Sequence, residues 1–156
     1  MATAQFGRVI TAMITPFTED GAVDYESAVA LAKHLVAHGS EGLLVGGTTG
    51  EGATMTAEEK VKLYTLIVDA VGKRGEGKKV PVMGNIGTIS TADTIAFGNK
   101  AKETGIDCAL VIVPFYVKPN QEGMYQHFTA VAKGVDLPLV LYNVPGRTGV
   151  SIQPET

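Results

Sequence analysis

The sequence holds a single cysteine, Cys108, so no internal disulfide is available, and a reducing compartment suits it. No apolar run approaches the roughly 20 residues needed to cross a bilayer, so no membrane partner is expected. The start, "MATAQFGRVITAMITPF", lacks a charged segment followed by a long apolar core. No signal peptide is expected there, and the default location is cytoplasmic. Basic residues are not in excess: 13 Lys and Arg against 16 Asp and Glu give a net charge of -3, which is no footprint for nucleic acid. There is no low-complexity segment. What is present is ordinary for a soluble domain, with 45% hydrophobic and 19% charged residues over 156 positions, enough for one real core. Nineteen glycines punctuate the chain without forming a tract.

Short apolar runs alternate with longer amphipathic ones. The pattern predicts strands over 8–15, 42–46, 80–86, 108–113 and 137–143, and helices over 24–39, 56–74, 91–103 and 121–133. The strands are apolar on both faces, as a parallel sheet covered by helices requires. Thr56 followed by Glu59 is a capping box, while Asp24, Ser90 and Asn120 are helix N-caps by residue type. Gly39 and Gly105 stand where helices stop. "GKRGEGKK" (72–79) reads as an exposed loop, and "SIQPET" as the start of a fifth helix without the length to build one. Five βα units in 156 residues suit a doubly wound, flavodoxin-like domain by length. A (β/α)8 barrel takes about 250 residues, so on that reading this chain supplies the first five strands and four helices.

In either architecture ligands bind at the C-terminal ends of the strands. Strand two exits into "GGTTGEGATM" (46–55), ten residues where two to six are usual. Glycines there let the backbone approach a ligand and offer N–H groups to a carboxylate, and Thr48 and Thr49 add hydroxyls. Strand four exits into "PFYVKPN" and strand five into "YNVPGRT". Each feature also has an ordinary reading: a self-capping turn, packing tyrosines at 116 and 142, a solvated arginine at 147. Together, at adjacent strand ends, they suit a small anionic substrate. A flavodoxin-like phosphate loop belongs after strand one, where "TPFTEDG" lacks that character. His34 and His38, spaced i, i+4, have no third ligand and read as a solvated helix face. Cys108 is a core residue at the wrong strand end, and Lys118 has nothing to desolvate it.

Three motifs, "GGTTGEGATMTAEEK", "PFYVKPNQEGMYQHF" and "LPLVLYNVPGRTG", with "ITAMITPF" before them, closely resemble the dihydrodipicolinate synthase family. The resemblance runs through essentially the whole chain. It implies a (β/α)8 barrel that condenses pyruvate with L-aspartate 4-semialdehyde through a lysine Schiff base, the committed step of the diaminopimelate route to lysine. It calls for no cofactor and no metal, and for a homotetramer built as a dimer of tight dimers. It implies that Thr48 is a relay hydroxyl and that Thr49, with Gly50, holds the pyruvate carboxylate. Tyr142 would be the general acid/base beside the Schiff base, and Tyr116 a relay hydroxyl reaching in from a neighbouring subunit. Arg147 would bind the semialdehyde carboxylate with two parallel hydrogen bonds.

The Schiff-base lysine of the family lies on strand six, beyond Thr156, so the chain is expected to be the N-terminal portion of one barrel domain and inactive alone. It would leave two unpaired sheet edges, an invitation to aggregate. Lysine-inhibited members tend to carry histidine, asparagine and tyrosine where Lys60, Ile89 and Phe115 stand here, which implies weak lysine inhibition. The alternatives are another pyruvate-dependent aldolase such as N-acetylneuraminate lyase, typically without an arginine at 147, or a non-catalytic half-barrel fragment.

Overall fold

The computed structural model describes residues 6–156, so the first five residues of the N-terminal stretch read above lie outside it. The chain runs β1 (Ile10–Ala12), α1 (Tyr25–Ala37), β2 (Gly42–Val45), α2 (Ala57–Val71), β3 (Val82–Asn85), α3 (Thr91–Glu103), β4 (Cys108–Ile112), α4 (Gln121–Gly134), β5 (Leu139–Tyr142) and α5 (Pro145–Thr148). All five strands are parallel, in the order β1-β2-β3-β4-β5. A doubly wound sheet reverses its strand order at a switch point. Here each strand lies beside its predecessor, as in the wall of a (β/α)8 barrel. The doubly wound alternative ends there.

Local chemistry sets the helix boundaries. The Asp24 carboxylate accepts from the Ser27 N–H at 3.0 Å, the Ser90 hydroxyl from the Asp93 N–H at 3.2 Å and the Asn120 amide oxygen from the Gly123 N–H at 2.8 Å. At α2 the capping box is complete: the Glu59 N–H donates to the Thr56 hydroxyl at 3.2 Å, and the Thr56 N–H donates back to the Glu59 carboxylate at 2.8 Å. Caps of this kind contribute about 1 kcal/mol each by satisfying otherwise orphaned N–H groups. Gly39 and Gly105, just past α1 and α3, take positive φ values of 109° and 86°, where a β-carbon would be strained.

The two-residue pleat gives the sheet two apolar faces. Leu43, Val45, Val82, Ala109, Val111 and Leu139 pack under the helices in the main core. Their alternates Leu44, Met83, Cys108, Leu110, Val140 and Tyr142 form a second cluster on the other face. That second face thins out at β1, where Ile14, just past the strand, is 55% exposed. β1 and β5 each pair on one side only among the described residues.

One buried polar group makes the helix layer sensitive to pH. His127 on α4 sits with its Nδ1 2.8 Å from the Thr91 hydroxyl, and its Nε2 has no hydrogen-bond partner among the described residues. Burial therefore disfavours the imidazolium and lowers the pKa below the ordinary 6.5. Between the folded and unfolded values the unfolded chain binds more protons, so this contribution is intact above pH 6.5 and is lost as the pH falls through that window. Urea midpoints measured above and below pH 6.5 should fall on the acid side, and His127→Gln should flatten that slope; an unchanged slope would refute the assignment.

Candidate active site

The parallel register delivers every strand exit to one rim. After β2 the chain turns through residues 46–56 before α2 begins. Gly46, Gly47 and Gly50 are buried, whereas Thr48 and Thr49 between them are exposed. The loop is held from beneath. Asn85, the last residue of β3, donates through its side-chain amide to the Gly46 carbonyl at 3.0 Å and accepts from the Gly87 N–H at 3.3 Å. The fully buried Tyr64 of α2 donates its hydroxyl to the Asn85 carbonyl at 2.7 Å, and burial pushes that phenol's pKa up. From the β1 side, the Thr15 hydroxyl donates to the Gly50 carbonyl at 2.7 Å. Thr15 and Asn85 were not singled out from sequence; a polar residue closing an apolar strand at the ligand end was the available signal.

The β4 exit carries Tyr116, 86% exposed, and Lys118, also exposed; both have positive φ, 68° and 46°. Tyr142 ends β5 and packs partly buried on the second apolar cluster, so its ring belongs to the face opposite the helices. The segment read from sequence as a loop, "PGRT", is one helical turn, α5, with Pro145 at its first position and the Arg147 N–H donating to the Val144 carbonyl at 2.8 Å. Proline fixes φ at a helical value and lacks only a donor that a first turn does not use, which explains the difference. "SIQPET" forms no helix: it is irregular, with a turn at 154–155.

Thr48, Thr49, Gly50, Tyr116, Tyr142 and Arg147 thus all lie on the rim. They are not joined to one another: among the described residues the side-chain hydroxyls of Thr48, Thr49, Tyr116 and Tyr142 make no hydrogen bond, and Arg147 has no ion-pair partner. Beside the β2 loop a pocket of about 330 Å³ is lined by Thr48, Glu51, Lys60, Asn85, Ile89 and Phe115, among others. The ammonium of Lys60 lies 5.1 Å from the centre of the Phe97 ring, and desolvation lowers its pKa. His34 and His38 are exposed, with rings stacked at 4.0 Å. Cys108 is buried at the start of β4, with its thiol pushed up to about 12 by burial and then by Asp107.

A family model described as "Dihydrodipicolinate synthetase family" matches residues 5–156. The chain is 54% identical over 97% of its length to a 4-hydroxy-tetrahydrodipicolinate synthase of Symbiobacterium thermophilum, and 53% identical to that of Heliobacterium modesticaldum. It covers 50% and 49% of these proteins, so the chain spans about half the length of the curated relatives it matches. A dihydrodipicolinate synthase from Cyanidioschyzon merolae with lysine bound superposes with a TM-score of 0.91 at 45% identity, over 96% of this chain and 50% of that one. A second, from Bacillus anthracis, gives 0.89 at 46% identity, over 96% and 49%.

The β2 loop depends on Gly50 lacking a side chain. A β-carbon there would stand 2.9 Å from the Met13 carbonyl oxygen and 3.1 Å from the Thr15 hydroxyl that braces the loop. Gly50→Ala should cost roughly 1–3 kcal/mol in urea denaturation, the range for forced overpacking. An unchanged midpoint would show that the loop relaxes freely.

Proposed function

The chain belongs to the dihydrodipicolinate synthetase family, and from that premise we propose that it supplies the N-terminal half of an active site that condenses pyruvate with L-aspartate 4-semialdehyde through a lysine Schiff base. The observation that carries this reading is the shared rim: the parallel strands β2, β4 and β5 discharge the Thr48–Gly50 loop, Tyr116, Tyr142 and Arg147 at one end of the sheet. The amine is supplied by a lysine outside these 156 residues, on strand six of a single barrel domain. Condensation needs a base to form the enamine from the imine and an acid to protonate the new alkoxide. Tyr142 on the face opposite the helices is the group proposed for that exchange, with Thr48 and Tyr116 as relay hydroxyls. Thr49 and the Gly50 backbone take the pyruvate carboxylate, and Arg147 takes that of the semialdehyde in a bidentate pair. Tyr116, so exposed in one chain, suits a residue lent to a neighbouring subunit of a homotetramer. The setting is cytoplasmic lysine biosynthesis.

Arg147 favours this reading over N-acetylneuraminate lyase and the keto-deoxy-sugar aldolases, whose substrates present no such carboxylate at that point. Semialdehyde-dependent loss of pyruvate, compared across a panel of keto-acid aldol substrates, separates them in a protein that includes the strand-six lysine. For the chain itself, borohydride reduction with pyruvate should add no pyruvyl mass to a polypeptide of verified 156 residues and one to a longer polypeptide bearing that lysine. An adduct on the shorter chain would refute the division of the site.

The pocket with Lys60, Ile89 and Phe115 is proposed to be a poor host for lysine. A half-buried ammonium already occupies its wall, and a second cation there is repelled in a medium of lowered dielectric. Calorimetric titration with L-lysine should give no saturable heat; tight binding would reverse this.

A further inference from the structure

Arg147 has no ion-pair partner among the described residues. Two amide side chains from outside α5 bind the segment that follows it. Gln121, the first residue of α4, donates to the Ser151 carbonyl at 2.9 Å and accepts from the Gln153 N–H at 3.0 Å and from the Thr156 hydroxyl. Asn143, between β5 and α5, accepts from the Ile152 N–H at 3.3 Å and donates to the Ser151 hydroxyl at 3.0 Å and the Ile152 carbonyl at 3.4 Å. Asn143 therefore closes the base of the loop from 143 to 152, and Gln121 sews that base to α4. Inside the loop, Thr148, 2% exposed, donates to the Val150 carbonyl at 2.7 Å. The Lys118 stem lies against Gly149, whose φ of 76° and missing β-carbon leave it room.

We propose that Gln121 and Asn143 are positioning residues that hold the Pro145–Gly149 turn in place so that Arg147 meets a carboxylate in a fixed pose. The proposal rests on the carboxylate role assigned to Arg147 above. Each amide uses both its donor and its acceptor, so neither an apolar side chain nor a carboxylate reproduces the full set. A guanidinium on an unclamped turn would have to be ordered at each binding event, and that entropy cost would come off the affinity.

The test is a titration of the 156-residue protein with succinate, a small dicarboxylate probe, followed by the Arg147 Nε–Hε resonance. The wild-type protein should show a saturable shift. Gln121→Ala and Asn143→Ala should weaken it roughly three- to tenfold, with the amide spectrum of β2 to β4 unmoved. Gln121→Glu, which keeps the acceptor arm, should recover part of the affinity, whereas Gln121→Met should not. Full affinity in both alanine variants would overturn the proposal. A wild-type protein without a saturable shift, or an Arg147→Ala variant whose backbone amides at Gly146 to Gly149 still shift with succinate as in the wild type, would overturn the carboxylate role and leave the clamp to a second readout. That readout is the ¹H–¹⁵N NOE of the Gly146 to Gly149 amides: a fall in the alanine variants supports the clamp, and unchanged values overturn it.

Discussion

Everything at the rim depends on the two-residue pleat of a sheet that is apolar on both faces. A slip of one residue in β5 would carry Tyr142 from the concave cluster into the helix layer and bring Leu141 the other way. The register is held by burial: Leu43, Val82 and Val111 are almost wholly shielded beneath the helices, and each large aliphatic side chain so placed contributes about 1.5–3 kcal/mol. The helix layer therefore selects which side chains of the strands face inward. Cys108 illustrates the same rule, its parity and its place at the opening of β4 assigning it to packing.

A rim loop rich in glycine would be floppy without bracing, and the braces come from three separate elements. Thr15 follows β1, Asn85 ends β3, and Tyr64 reaches up from α2. Thr15 and Asn85 satisfy the Gly50 and Gly46 carbonyls of the glycine turn, and Tyr64 holds Asn85 through its carbonyl. The result is a loop whose glycines are buried while Thr48 and Thr49 are exposed. Rigidity beneath and hydroxyls above is the arrangement a proton relay needs, because a hydroxyl that wanders by an ångström loses its geometry.

The strand and helix pattern was legible because it is local. Capping residues declare themselves within four positions, and Asp24, Thr56, Ser90 and Asn120 all cap the helices they were expected to cap. Strand order was not legible from periodicity, since five βα units fit two architectures; the motifs and then the observed order β1-β2-β3-β4-β5 decided it. The candidate residues at the strand exits were legible as a rim, but their supports were not. Asn143 and Gln121 meet the same short segment from 22 positions apart in sequence, and only the folded chain brings them together. α5 was missed because a four-residue helix has no periodicity to detect.

Among the described residues, left-handed backbone outside glycine is confined to two strand exits. The non-glycine residues with left-handed backbone among the described residues are Glu51, Tyr116 and Lys118, and all lie in the loops that follow β2 and β4. Each such conformation costs on the order of 1–3 kcal/mol and persists only where surrounding structure enforces it. At Glu51 the enforcement is visible: its N–H donates to the Thr48 carbonyl at 3.2 Å and its own carbonyl accepts from the Thr54 hydroxyl at 2.9 Å. At Lys118 the stem is laid along Gly149. Thus the Lys118 stem links the strained β4 exit to the β5 exit, and the ring of Tyr116 stands exposed beside it.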